Sequence, residues 1–491
     1  MKKSVCIILA LLMLLVATGC GKNNKRKPIE LTLSSEDSEE IMRAAGIHLP
    51  PAEEAAGAGT VVKWFSWINL FENFSEDEIV QTGYYTFREK YGGKINWIET
   101  TYDDRNTDLA TLVLTSQSPD MTNAGTAMHA TFPMNVIKDM YQPVDKWIDY
   151  ENDPLWKEMK DAGEYYVLGG KHFAIVYDLT FKDVIPYNRR VMTEYGYDDP
   201  WQLYLNDEWT WDVFYDMCID FNDPDTDRFA VDGWYVTCSI VEESTGHYII
   251  ERDENGHYYA NLDDPVIERA HDLIYNLAKN DCIYRVGNDY WGINSYGGSA
   301  SNYGYRVKDG LTLFWPCDDE GFVRPVEELK RTFGDVTDGE FMICPLPRDP
   351  DGDGVYYLNA MPDAFNLIKG APNPDGAVLL AMCTRFKIMD PTVVRIDRKQ
   401  LREKYYWSDE MLEAWDECMR LVRENVRVYY TGNLTDNVEQ LYNQFDWGVM
   451  RTGGANTFTQ LREQNRDTLE YYLDELNDQI DSYVYEADLD T

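Results

Sequence analysis

Positive charge is scarce in this sequence. Lys and Arg number 45 against 86 Asp and Glu, a formal net charge of -41. So acidic a surface repels phosphate backbones, and no basic patch interleaved with aromatics interrupts it, which excludes nucleic-acid binding. The same charge opposes docking on anionic membrane surfaces. Motifs of catalysis are missing too: there is no G-x-S-x-G, no H-E-x-x-H and no G-x-x-x-x-G-K-[ST]. The 6 histidines (His48, His129, His172, His247, His257 and His271) lack zinc-ligand spacing. Carboxylates abound, but glycosidase chemistry needs one placed pair, and 86 acidic residues offer so many pairs that none stands out.

Cysteine makes no framework. The chain has 9, none in C-x-x-C. Cys6 lies in a leader and Cys20 at its end; the others, Cys218, Cys238, Cys282, Cys317, Cys344, Cys383 and Cys418, are scattered singly. Scattered cysteines in a large domain behave as small buried apolar residues.

What is present begins with that leader. Residues 1–20, MKKSVCIILALLMLLVATGC, have a lysine pair, an apolar run of about a dozen residues and small residues before Cys20. The run is short for a transmembrane helix. Ala17-Thr18-Gly19-Cys20 resembles the bacterial lipobox, although Ala17 stands where a larger aliphatic residue is usual. Cys20 is therefore the expected lipid-attachment site, on the outer face of the cytoplasmic membrane. Residues 21–60 are polar and free of aromatics, ending in LPPAEEAAGAGT, and read as a flexible tether with a possible short helix near residues 39–45.

Residues 61–491 read as a folded body. Hydrophobic content is 44% and aromatic content 14%, ample for a core. VVKWFSW (61–67) is strand-like, 71–91 helical, KINWIET (94–100) strand-like and 104–115 helical, with SPDMTNAG as a strand end and loop. This β-α-β-α order indicates an α/β lobe with a mostly parallel sheet. Gly169-Gly170 predicts a hairpin turn. Strands are expected at 309–316, 339–347 and 355–361, and a last helix at 458–476. In NDEWTWDVF (206–214), Thr210 is a good helix N-cap, and Trp209 can pack on Phe214 as a hydrophobic staple. That tryptophan pair reads as a helix start rather than a ligand clamp.

Several blocks, in order, resemble the extracellular solute-binding proteins of ABC importers, in particular the carbohydrate-binding lipoproteins. They are SPDM, MYQPVDKWID, GGKHFAIVYDLTFKDVIPYNRR, EWTWDVF, VKDGLTLFW and NPDGAVLLAMCTRF. Asp309 and Thr312 depart from the residues usual in the family. The resemblance implies an α/β, two-lobed periplasmic-binding-protein-like fold, with a hinge and an interlobe ligand cleft. Lobe one would hold about 61–176 plus part of 362–430, and lobe two about 177–358 plus C-terminal helices, with crossings near 174–179 and 357–362. It also implies a monomeric, non-enzymatic receptor that delivers a carbohydrate to ABC permease subunits, anchored to the membrane through its N-terminal lipid. The alternatives are a receptor for a peptide or other polar solute, or a secreted glycan-degrading enzyme.

A sugar cleft needs aromatic plates and carboxylate or amide side chains. The ends of the first strands supply Trp64, Trp67, Asp120 and Asn123. The crossings supply Tyr177, Asp178, Asn359 and Met361, and lobe two supplies Trp234, Trp291 and Trp315. Two acidic runs have partial calcium-loop spacing: Asp223, Asp225 and Asp227, and Asp349, Asp351 and Asp353. In the second, Ala360 stands where the bidentate Glu belongs, and in the first Arg228 replaces the turn Gly. No other cofactor is expected.

Overall fold

A computed structural model describes residues 35–55, 61–71, 82–124, 132–231, 241, 243–284, 305–317, 322–323, 329–330, 333–428, 434–449 and 456–489. The strands that carry the architecture are, in chain order, β1 (Val61–Ser66), β2 (Lys94–Glu99), β3 (Met121–Ala124), β4 (Ile175–Phe181), β5 (Ile185–Asn188), β6 (Phe229–Val231), β7 (Thr312–Phe314), β8 (Phe341–Cys344) and β9 (Ala360–Leu367).

They form two separate sheets. The first has the order β2-β1-β3-β9-β4. Its β1 pairs parallel to β2 and β3, as the β-α-β-α reading predicts. β9 then runs antiparallel to both β3 and β4. The second sheet has the order β8-β5-β7-β6, with only β7 and β6 parallel. The chain passes from the first sheet to the second between Phe181 and Ile185, and returns between Cys344 and Ala360. It therefore leaves the first sheet after Phe181 rather than after Val176. Residues 355–359, expected in a strand, lie outside β9.

Local chemistry explains the elements. Helix Gly83–Tyr91 starts on Thr82, whose hydroxyl accepts from the Tyr85 N–H, and ends on Gly92 at φ +69°, a conformation that favours glycine. Helix Pro265–Lys279 starts on Asp264 with proline at its first position. The glycine pair turns a short ribbon, Val167–Leu168 against Lys171–His172, with both glycines at positive φ. The last helix is longer than its apolar stripe indicated, running Phe458–Leu489.

Part of the expected tether is folded. Ser35–Ala44 is a helix, and Met42, Ile47 and Leu49 are buried in the core. The Tyr91 hydroxyl donates to the Pro50 carbonyl at 2.7 Å. Three spaced apolar residues are enough to anchor a segment whose composition otherwise reads as linker. The described cysteines Cys218, Cys282, Cys344, Cys383 and Cys418 are free and buried, Cys317 is buried as well, and burial raises the thiols of Cys282 and Cys383 to about 12. No described helix is long and apolar enough to cross a membrane.

Candidate functional site

The register of the first sheet decides which residues share a face. Residues opposite one another in paired strands point the same way, and a bulge places two successive residues on one side. Trp64 pairs with Met121, so Ser66 lies beside Asn123. Asn123 pairs with Phe365. Across β9 and β4, Asp363 pairs with Asp178 and Met361 with Thr180, and the register shifts between Asp363 and Ala364. Tyr177 is the extra residue, between Val176 (opposite Ala364) and Asp178 (opposite Asp363). One face thus carries Trp64, Ser66, Asn123, Phe365, Tyr177, Asp178, Thr180, Met361 and Asp363.

The carboxyl ends of β1 and β3 open this face at the sheet edge, where α/β folds place ligands. Ser66 Oγ donates to Asn123 Oδ1 at 3.1 Å. Asn123 Nδ2, the Trp67 indole N–H and Thr180 Oγ1 are buried polar atoms with no hydrogen-bond partner. Unsatisfied donors of this kind are costly unless something fills them. Half-buried Trp67 meets Tyr102 edge to face, ring centroids 5.5 Å apart, and the Arg105 guanidinium lies 4.1 Å from the Tyr102 centroid.

Next to this edge stand two carboxylates. Asp363 is solvent-accessible, yet desolvation by the surrounding protein, followed by the charge of Asp178, pushes its carboxyl up to about 7. Solvent access combined with dense surroundings is what a concave wall produces. Burial also raises Asp178, against the opposing pull of the Leu179 N–H and Arg385. Arg385 Nη1 lies 4.0 Å from Asp178 Oδ1 and donates to the Tyr177 carbonyl at 3.1 Å. The Tyr177 ring packs on Phe365, centroids 4.5 Å apart. Aromatic surface, amide, hydroxyl and carboxylate groups together suit a hydroxylated ligand.

Other expected site residues serve the framework. Trp64 is wholly buried, donates to the Ile68 carbonyl at 3.2 Å and packs against Phe71 and Phe365. Asp120 is wholly buried and accepts from the Lys63 N–H at 2.7 Å and the Asn373 N–H at 2.5 Å, fastening β1 to the start of helix Pro374–Met389. Trp315 is buried against Phe333, centroids 5.5 Å apart. Asn359, also buried, accepts from the Tyr248 hydroxyl at 2.6 Å, and its carbonyl accepts from the Lys182 N–H at 2.8 Å. It fixes the crossing instead of facing solvent. Trp234 and Trp291 lie outside the described residues.

The two acidic runs do not form calcium loops. Asp223 is taken by Arg228 at 3.0 Å and by the Thr226 hydroxyl at 2.8 Å. Asp227 turns the chain at φ +64°. Asp349 is buried against Arg269 and accepts from the Asp351 N–H at 3.0 Å. Asp353 accepts from the Val355 N–H and the Tyr357 hydroxyl. With their carboxylates facing separate partners, Asp225 and Asp351 have no converging set to join. No group of three or more His, Cys, Asp or Glu able to hold a metal occurs among the described residues.

No protein-family model matches the sequence, and no curated protein does. Solved structures do match. The galacto-N-biose/lacto-N-biose I-binding protein of an ABC transporter from Bifidobacterium longum, in complex with lacto-N-biose, matches with a TM-score of 0.59 at 14% identity, covering 85% of this chain and 98% of that one. The chain has the two-lobed solute-binding-protein fold. A sugar transporter from Rhizobium etli in an open conformation matches with a TM-score of 0.57 at 12% identity, covering 83% of this chain and 99% of that one. An ABC transporter solute-binding protein from Thermotoga lettingae bound with alpha-D-tagatose gives 0.56 at 14% identity, covering 84% and 100%. The Phe181–Ile185 and Cys344–Ala360 passages join the two sheets.

Sequence reasoning missed Ser66, Tyr102, Thr180 and Asp363. Asp363 had a signal: it is the only charged residue of β9, AMPDAFNL. Tyr102 had none, because its contact with Trp67 arises only when the loop after β2 folds back.

Proposed function

We propose that this chain is a solute receptor that captures a carbohydrate, an oligosaccharide, and passes it to the permease of an ABC importer. The observation that carries this reading is the carboxyl end of the first sheet, where Trp67 and Tyr102 meet beyond β1 and β2, and Asn123, Tyr177, Asp178 and Asp363 share one face, with three buried polar atoms unfilled. Aromatic faces stack on sugar C–H surfaces, and amides and carboxylates fix hydroxyls. The structural neighbours support it through their bound sugars, lacto-N-biose and tagatose. Binding would draw the lobes together about the crossings, and no chemical step is assigned to the receptor.

The lipobox-like Ala17-Thr18-Gly19-Cys20 favours a lipid anchor at Cys20 and an extracellular position. Mass spectrometry of the mature N-terminus tests this: a diacylglyceryl-modified Cys20 is expected, and an unmodified Cys20 contradicts it. For the receptor reading, small-angle scattering of the purified protein with and without oligosaccharide should show a smaller radius of gyration on binding. An oligosaccharide that is hydrolysed contradicts it.

A further inference from the structure

We propose that a groove beside the first sheet is an outer subsite for a further neutral sugar unit of an oligosaccharide, an inference that rests on the carbohydrate-receptor reading. The groove encloses about 360 Å³ and lies between the start of helix Arg105–Leu114, the short helix Met134–Ile137 and the C-terminal helices Asp436–Gly448 and Phe458–Leu489. That volume is in the range of small-ligand sites.

Its chemistry favours a sugar. Met134, Leu434 and Leu476 give an apolar floor, and Asn106, Asn437 and Gln479 give an amide rim. The side chains of Asn106 and Asn437 make no hydrogen bond among the described residues, so each offers both a donor and an acceptor. The lining carries one cation, Lys138, and two carboxylates, Asp436 and Glu475, a balance that disfavours anions. An apolar floor with a two-way polar rim matches the C–H face and hydroxyl fringe of a neutral pyranose.

The groove joins the proposed primary site. Asn106 follows Arg105, whose guanidinium lies over Tyr102, and Tyr102 meets Trp67. Thr435, on the groove wall, caps the helix whose next turn carries Glu439. Burial first, and Glu439's charge among the smaller causes, raise the Tyr102 phenol, which places that helix beside the aromatic pair. A chain of sugars leaving Trp67 past Tyr102 and Arg105 would run into the groove.

The test is calorimetric titration with malto-, cello- and xylo-oligosaccharides from disaccharide to hexasaccharide. It compares the natural protein with Asn106→Leu/Asn437→Leu, both exposed positions, after checking that unliganded melting is unchanged. The natural protein should bind longer members of one series more tightly. The double variant should lose about tenfold in affinity for those, roughly 1.4 kcal/mol, while keeping its disaccharide affinity. Binding that ignores chain length, or a variant that binds every length like the natural protein, overturns the subsite alone. Binding of no member overturns the subsite and the receptor reading together.

Discussion

Asp178 and Asp363 stand directly opposite one another across the antiparallel pair β4 and β9, at the bulge that turns Tyr177 onto the same face. Like charges opposite in a sheet are destabilising, and each member of the pair lies three residues from a passage between the sheets, which begin after Phe181 and end at Ala360. The cost shows in Asp363, whose carboxyl is pushed up to about 7 by burial and then by Asp178.

This raised carboxyl gives a pH prediction. Between its unfolded value near about 4 and about 7, the native protein holds a proton that the unfolded chain releases. Stability therefore falls as pH rises through that window and is level above it. Asp363→Asn should melt higher than the natural protein at about pH 8, by roughly one or two degrees given the solvent access of the group. At about pH 5 the two should nearly coincide. An equal gain at both pH values would mean that titration of Asp363 is not the cause.

The buried His271 gives the opposite sign. Burial lowers its imidazole to about 4, opposed by its hydrogen bond to the Ile267 carbonyl. The native state thus holds fewer protons than the unfolded chain below about pH 6.5, and stability is lost as pH falls from there to about 4. The loss is on the order of 3 kcal/mol. His271→Phe should flatten the melting profile in that window, and an unchanged acid slope would contradict this.

Trp209 is framework. It is wholly buried, donates to the Pro345 carbonyl at 2.9 Å and meets Phe214 edge to face at 6.0 Å. Thr210 caps the helix Trp211–Phe221 as expected, its hydroxyl accepting from the Val213 N–H. Trp209→Ala should cost about 3 to 5 kcal/mol in denaturant unfolding, with the remaining folded protein binding sugar normally. A lost affinity with stability intact would assign Trp209 to the ligand.

Trp67 and Asn123 should behave in the reverse way. Trp67→Ala and Asn123→Ala each remove a group with an unfilled polar atom at the sheet edge. Each should weaken sugar binding about tenfold, on the order of 1.4 kcal/mol, and shift unliganded melting little. Wild-type affinity in both variants would move the binding surface elsewhere.

The contrast shows what the sequence could carry. Strand and helix order, the Gly169-Gly170 turn and the Thr210 cap follow from local chemistry, and so were legible. Among candidate ligands, Asn123, Tyr177, Asp178 and Met361 come to one face because register is a fold-level consequence of strand position. Trp64 and Trp67 look alike in VVKWFSW, yet one is core and the other edge, since burial depends on the helix and loop packed above them. Asp120 was legible as a polar residue after a strand, but not as a latch to Asn373, 253 residues away. The first calcium spacing fails where Arg228, which stands in place of the turn Gly, pairs with Asp223, and the second where Arg269, 80 residues away in sequence, claims Asp349.

The central claim is capture of a carbohydrate without turnover. Isothermal titration of the purified mature protein with the oligosaccharide panel, followed by assay of the same samples for reducing ends, tests it most directly. The account predicts saturable binding of at least one series with one ligand per chain and no new reducing ends. No binding by any member, or the appearance of new reducing ends, would contradict it.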